Sequence, residues 1–99
     1  MENVEEYIKQ VEKVLPSGWD VDDWDDETIV LAGRKYTVII DIESKELAFN
    51  ITQLIDGIIN ATDVDEIIRT CKNVDIKELE DIQRIADALN LTIYFDREM

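Results

Sequence analysis

The 99 residues of the chain are 45% hydrophobic and 34% charged, which is enough for one domain with one modest core. Acidic residues number 24 and basic residues 10, so the net charge is −14, whereas a small domain commonly carries about 2–8 charges. A field of this size repels phosphates and attracts basic surfaces. We therefore expect one acidic domain, spanning residues 1–99, whose partner is a basic protein.

Missing residue types exclude most catalytic chemistry. The chain has no histidine, so it cannot form a Ser-His or Cys-His pair or an imidazole metal site. Cys71 is the single cysteine, which excludes an intrachain disulfide and a structural zinc site. Neither glycine-rich phosphate-binding motif occurs. We expect no enzyme activity, no cofactor and no metal.

The sequence also bears on location. No run of apolar residues approaches the ~18 that a membrane helix needs, and the N-terminus lacks the features of an export leader. The single cysteine differs from the disulfide framework of small secreted domains. We expect a cytoplasmic protein that makes no contact with membranes.

The first half of the sequence predicts a helix followed by antiparallel strands. Apolar residues recur at steps of three and four over about residues 2–15, as in a helix, and Pro16 ends the pattern. Apolar and polar residues then alternate; in the longest such stretch, Val38 and Ile40 are predicted on one face and Ile39 on the other. Closely spaced strands without intervening helices form an antiparallel meander. The predicted strands cover residues 19–22, 28–32, 34–42 and 47–51.

The second half predicts three helices and a final strand. The first helix begins at about Thr52, and Thr62 and Asp75 are predicted to be the N-caps of the second and third. Glu78 completes a D-x-x-E capping box with Asp75 in this prediction. Alternation over residues 91–95 predicts a terminal strand that either returns to the sheet or pairs with a second copy, giving a homodimer. The fold class is α+β, with an N-terminal helix, a three- to four-stranded antiparallel meander, three helices and a terminal strand.

The densest group of acids is Asp20-Val21-Asp22-Asp23-Trp24-Asp25-Asp26-Glu27, which we call the acidic segment. It does not fit a calcium-binding EF-hand loop, because Thr28 lies where that loop requires glycine. It fits a contact surface, in which carboxylates attract a basic partner and a tryptophan supplies buried area. Trp19 is predicted to lie in the core, while core and contact positions both remain open for Trp24. The predicted partner-binding residues are Asp20, Asp22, Asp23, Trp24, Asp25, Asp26 and Glu27, with Asp63, Asp65 and Glu66 as a second patch.

Part of the C-terminal half resembles the Cro/repressor-type helix-turn-helix family. Residues 84–89 read R-I-A-D-A-L, which is similar to the R-I-A-x-A-L core of that family's late helix, and the resemblance covers residues 52–95. It implies that the helices at about 52–62 and 62–71 are the turn-forming and recognition helices. The terminal strand is similar to the dimerising strand of antitoxin-like members. Residues 62–70 carry three acids where DNA would lie, which disfavours direct nucleic-acid binding.

Three functions are compatible with these patterns. The leading hypothesis is a binding module or inhibitor that engages the nucleic-acid groove of a partner as a nucleic-acid mimic. In overall character the chain resembles small acidic phage proteins that inhibit restriction or CRISPR effectors. The second hypothesis is a degenerate helix-turn-helix regulator or antitoxin, and the third is an immunity protein that neutralises a basic nuclease toxin.

Overall fold

A computed structural model describes residues 4–96, which form four helices and five strands. The predicted α+β class and order of elements are confirmed; positions 2 and 3 of the predicted first helix lie outside the described residues. The strands share one five-stranded sheet. In chain order the elements are α1 (Val4–Val14), β1 (Asp20–Trp24), β2 (Thr28–Ala32), β3 (Thr37–Asp41), β4 (Glu46–Asn50), α2 (Thr52–Ile59), α3 (Val64–Lys72), α4 (Ile76–Leu89) and β5 (Thr92–Asp96).

The sheet has the strand order β1-β2-β3-β4-β5, and its first four strands form the predicted antiparallel meander. Strand β5 pairs with β4 in the parallel sense, with Ile93 opposite Leu47. A parallel pair needs a long crossover connection, which helices α2, α3 and α4 supply. The terminal strand therefore returns to the sheet, which is one of its two predicted outcomes, and β1 and β5 are the sheet edges.

One face of the sheet is buried and the other faces solvent. In β3 the side chains of Val38 and Ile40 are buried and that of Ile39 is exposed, as the alternation predicted. Helices α1 and α4 contribute Val11 and Ile85 to the cluster on the buried face. The core consists of Ile8, Val11, Trp19, Ile29, Leu31, Tyr36, Val38, Ile40, Leu47, Phe49, Ile82, Ile85, Ala86 and Leu91.

A buried carboxylate of α4 holds Trp19 in this core. Asp81 is 3% exposed, and its Oδ2 accepts a hydrogen bond from the indole Nε1 of Trp19 at 3.2 Å. Arg84 donates to Oδ1 of the same carboxylate at 3.3 Å. A buried polar group is tolerated only when it is hydrogen-bonded. Asp81 therefore fixes the orientation of Trp19 against α4, and the predicted core position of Trp19 is confirmed.

A second buried carboxylate of α4, Glu78, closes the turn between β2 and β3. Its Oε1 accepts hydrogen bonds from the backbone N–H groups of Lys35 and Tyr36 at 2.9 and 2.6 Å. Its Oε2 accepts from the N–H of Arg34 at 3.1 Å. Hydrogen bonds to an ionised acceptor are roughly twice as strong as neutral ones. Glu78 thus joins α4 to a turn that lies 42–44 residues earlier in the chain.

Gly33 and Asp75 complete this junction. A Cβ atom at position 33 would lie 2.7 Å from Cδ of Glu78 and 3.0 Å from Cε2 of Trp19, so a larger residue would displace the carboxylate. Asp75 is the N-cap of α4, as predicted, because its Oδ1 accepts from the N–H of Glu78 at 3.0 Å. The second half of the predicted capping box is wrong. The Glu78 side chain turns to the β2–β3 turn, and the Tyr36 hydroxyl accepts the N–H of Asp75 at 3.1 Å instead.

We predict that Glu78→Gln lowers the free energy of unfolding by about 2–4 kcal/mol, because a buried acceptor loses its charge and places an NH₂ group among N–H donors. Urea denaturation measures this change. Glu80→Gln is the matched control, since Glu80 lies exposed on the same helix and its replacement is expected to change stability by less than about 0.5 kcal/mol. Equal stability of the two variants would contradict the assigned role of Glu78.

Candidate functional site

The acidic segment forms strand β1 and the turn that leads to β2. Its six acidic side chains and Trp24 are all exposed. The sequence predicted a strand that ends at residue 22, whereas β1 continues to Trp24, which pairs with Ile29 of β2. Because β1 is an edge strand, the acids line an open border of the sheet, where charged side chains also oppose pairing with a further strand.

A β-bulge sets the arrangement of the acids within β1. Asp20 and Asp23 lie opposite Ala32 and Val30, on the solvent-facing side of the sheet. The register shifts just before Asp23, so Asp22 is an extra residue in the ladder. In a bulge, two residues of one strand oppose a single residue of its neighbour. Asp22 and Asp23 therefore lie side by side opposite Val30, which brings their charges together.

Asp25 shapes the turn that follows β1. Its Oδ1 accepts hydrogen bonds from the N–H groups of Glu27 and Thr28, both at 2.8 Å, and from the Thr28 hydroxyl at 3.2 Å. The N–H groups of Glu27 and Thr28 hold the pKa of Asp25 below its ordinary value of 3.8, because they favour the charged form, while desolvation acts in the opposite direction. Asp25 is therefore a turn-forming residue as well as a surface charge.

The other acids of the segment have no basic partner. Within residues 4–96 a single ion pair joins two side chains, Arg84 and Asp81. No lysine or arginine in that range therefore forms an ion pair with the acidic segment. Within the same range the side chains of Asp22, Asp26 and Glu27 accept no hydrogen bond. Their charge is thus available to a partner.

Trp24 provides an apolar surface beside these charges. Its partner in the ladder, Ile29, is fully buried, whereas Trp24 itself is 44% exposed. Trp24 therefore lies at the border of the sheet, on the side that the helices cover, with its ring partly in solvent. Of the two positions left open by the sequence, the structure supports the surface one.

An open cleft of about 740 Å³ adjoins the acidic segment at the end of the sheet. Its walls come from α1, the β1–β2 turn, the β3–β4 turn and the last residue of α4. Its lining combines carboxylates and apolar groups with one lysine. The lining includes the acids Asp26, Glu27 and Glu43, the apolar or aromatic side chains of Tyr7, Ile42 and Leu89, and Lys45.

The second predicted patch consists largely of helix-capping groups. Asp63 is the N-cap of α3, because its Oδ1 accepts from the N–H of Glu66 at 2.9 Å. The Glu66 side chain reaches back and accepts from the N–H of Thr62 at 2.9 Å and from its hydroxyl at 3.3 Å. The predicted N-cap, Thr62, is therefore wrong by one residue. Asp65 is exposed and takes no part in this cap.

The two predicted patches lie on separate parts of the molecule. Strand β1 packs against β2 and α1, whereas the main contacts of α3 are with α2. The acidic segment is a continuous group of charges beside a cleft, and Asp63 and Glu66 stabilise a helix. We therefore take the acidic segment and its cleft as the candidate site.

Sequence reasoning missed the two buried acids of α4 and the cleft. Glu78 lies four residues before Ile82 and seven before Ile85, so it shares their helical face. An acid on the apolar face of a predicted helix is the signal that would have found it. The cleft had no local signal, because its apolar side chains come from residues far apart in sequence, such as Tyr7 and Leu89.

Two kinds of feature are absent from residues 4–96. No helix in this range is long and apolar enough to span a membrane. No group of three or more cysteine, aspartate or glutamate side chains in this range is placed to hold a metal ion. Comparison with protein-family models, curated proteins and solved structures finds no match to the chain.

We predict that the contribution of Asp25 to stability depends on pH. A carboxyl group whose pKa is lowered by folding stabilises the fold above its ordinary pKa, and that contribution is lost as the pH falls through the lowered pKa. The melting temperature of Asp25→Asn should therefore lie below that of the wild type at about pH 7, and the difference should disappear once the pH has fallen through the lowered pKa of Asp25.

Asp26→Asn is the matched control for this prediction. It removes the same charge from the neighbouring residue, which accepts neither hydrogen bond, whereas Asp25→Asn leaves the N–H groups of Glu27 and Thr28 with a neutral and therefore weaker acceptor. We expect a smaller change in melting temperature at pH 7. Equal changes in both variants would show that net charge, rather than the turn, accounts for the effect.

Proposed function

We propose that this protein is a non-enzymatic binding module, and that its acidic segment engages a basic, nucleic-acid-binding surface of a partner protein. The observation that carries the proposal is the exposure of six carboxylates along one edge strand and turn, with no cation in residues 4–96 paired to them. Exposed, unpaired carboxylates attract a basic partner over a distance, and this attraction speeds association. An inhibitor or an immunity protein would use the same surface.

The spacing of the charges supports mimicry of nucleic acid. One strand of a DNA duplex carries a charge about every 3.4 Å along the helix axis, and an extended chain advances about 3.3 Å per residue. Acids occupy six of the eight positions from 20 to 27. Three of these acids lie in the extended strand β1 and three in the turn that follows. Along β1 the spacing averages about 5.5 Å per charge, which is within a factor of two of the spacing in one nucleic-acid strand.

Charge alone does not fix the position of a partner along the acidic segment, whereas contacts with the cleft and Trp24 would do so. A lysine or arginine side chain of the partner has an apolar stem and a charged end. In the cleft, Tyr7, Ile42 and Leu89 would contact the stem, and Asp26, Glu27 and Glu43 would face the charge. Trp24, half exposed beside the acids, is of the residue type most enriched among interface hot spots.

We predict that the triple variant Asp22→Asn/Asp26→Asn/Glu27→Gln binds the partner more slowly and more weakly. None of these three side chains accepts a hydrogen bond in residues 4–96, so the fold should be unchanged. Immobilised wild-type protein is used to capture its partner from cells of the source organism, and the identified partner is then measured against each variant. Neutralising three contact charges should slow association by about tenfold at low salt.

The control variant is Glu12→Gln/Asp56→Asn/Glu80→Gln, which removes three exposed acids from α1, α2 and α4. None of these residues lines the cleft, and the variant reduces the net negative charge by the same three units as the first variant. If both triple variants weaken binding equally, net charge and not the acidic segment is responsible. Competition by duplex DNA or RNA for the partner identifies the contacted surface. Direct binding of DNA by the chain itself would instead favour the helix-turn-helix regulator.

We predict a different kinetic effect for Trp24→Ala. Loss of a hot-spot tryptophan costs about 2 kcal/mol or more, which corresponds to an approximately 30-fold weaker complex. Because the lost contact forms after encounter, most of the change should lie in the dissociation rate. Surface plasmon resonance measures both rates. A wild-type dissociation rate for Trp24→Ala would exclude Trp24 from the interface. The role of the carboxylates is tested separately by the triple variant.

A further inference from the structure

Helices α2 and α3 lie at the surface of the domain. Neither contains a buried residue, and they pack mainly against each other. At their crossing, a Cβ atom at Gly57 would meet the side chain of Thr70, so glycine allows close approach. Thr70 and the partly buried Glu66 mark the side of α3 that faces α2. The opposite side of α3 is left to solvent.

That exposed side carries an apolar stripe. Val64, Ile67, Ile68 and Cys71 are all exposed, and Val64 reaches 68%. Their spacing of three, four and seven residues places them on one face of a helix. This is the seam pattern by which helices pair with one another. Exposed apolar side chains grouped in this way mark an interaction surface, whereas scattered ones do not.

The charges beside the stripe indicate that a second copy of α3 packs against it. Asp65 and Lys72 are seven residues apart, so they border the stripe on the same side. Both are exposed, and across residues 4–96 neither forms an ion pair. A second α3 helix placed antiparallel across a two-fold axis would set Asp65 opposite Lys72 of the other copy, twice over. In a parallel two-fold pair, the borders that carry Asp65 and Lys72 would lie on opposite sides of the interface, so these charges would not meet.

We propose that α3 is a homodimer interface, in which the stripes of two copies pack antiparallel about a two-fold axis near Ile68. Such an interface is isologous, so each contact occurs twice. Val64 of one copy lies against Cys71 of the other, and each Asp65 faces a Lys72. This local complementarity offsets the repulsion between two chains that each carry a net charge of −14. The interface differs from pairing through the terminal strand and does not depend on the acidic segment.

The mass in solution is the first measurement. Sedimentation equilibrium should give a reversible dimer of twice the 11.5 kDa chain mass. Ile68→Gln should remain monomeric, and its circular dichroism should match the wild type because Ile68 is 44% exposed. Ile39→Gln is the matched control on the open sheet face, where Ile39 is 43% exposed, and should still dimerise. A wild-type monomer at about 1 mM, or dissociation by the Ile39 variant alone, overturns the proposal.

Charge exchange tests the antiparallel pairing. Asp65→Lys and Lys72→Asp should each raise the dimer dissociation constant about tenfold, and the double variant should return to within about threefold of the wild type. Asp65→Lys also reduces the net negative charge, which by itself would favour association, so weakening in this variant is diagnostic. A double variant that is no tighter than the single variants overturns the pairing.

Cross-linking tests the register. In Val64→Cys the two cysteines of one helix are about 10.5 Å apart, which is too far for an intrachain disulfide. In the dimer, however, the introduced cysteine of each copy faces Cys71 of the other copy. Mild oxidation should therefore give a disulfide-linked dimer of Val64→Cys, and Cys71→Ser in the same background should abolish it. Wild-type protein should not cross-link. Efficient cross-linking of the wild type through Cys71 indicates a parallel arrangement and overturns the proposal.

Discussion

The structure depends on the Glu78 carboxylate, which three backbone N–H groups of the β2–β3 turn hold at 2.6–3.1 Å. Together with the hydrogen bonds of Trp19 to Asp81 and of Asp75 to Tyr36, it joins α4 to the N-terminal meander. Gly33 leaves the space it needs, and Asp81 fixes Trp19 one turn further along the same helix. With α4 held there, β5 follows directly and pairs with β4, so the sheet gains its fifth strand.

The same contact shows how a chain with so few basic residues accommodates its acids. Glu78, Asp25, Asp63 and Asp75 each accept hydrogen bonds from backbone N–H groups. Backbone amides at turns and helix N-termini carry partial positive charge, so they replace the lysines and arginines that the chain lacks. The acids thus form two groups: those that shape turns and helix ends, and those, such as Asp22 and Asp26, that remain as surface charge.

The two proposed surfaces therefore bind through different interactions. The acidic segment lies along a rigid sheet edge beside a cleft, and attraction over a distance is its main property. The stripe on α3 is apolar, with one acid and one base on its border, so it suits close packing in a defined register. The two surfaces lie on different elements, and a dimer formed through α3 would carry two acidic segments, which could engage two sites with increased avidity.

The sequence by itself determined the fold class, the order of the elements, the inward face of β3 and the core position of Trp19, because these follow from local periodicity of apolar residues. It also located the acidic segment, since charge is visible in composition. It identified Asp75 as a helix cap but not the structural roles of Asp25, Asp63 and Asp81. Asp63 and Asp26 look alike in sequence, yet Asp63 caps a helix, whereas the Asp26 side chain accepts no hydrogen bond from residues 4–96.

Only the tertiary structure decided those roles, because they depend on groups distant in the chain. The N–H groups that bind Glu78 belong to residues 34–36, and the cleft brings together α1, two turns and the end of α4. The parallel pairing of β5 with β4 also joins residues more than forty positions apart, for which no local pattern exists. Hydrophobic periodicity fixes which way a residue faces, whereas its partners are fixed only once the sheet and α4 have packed together.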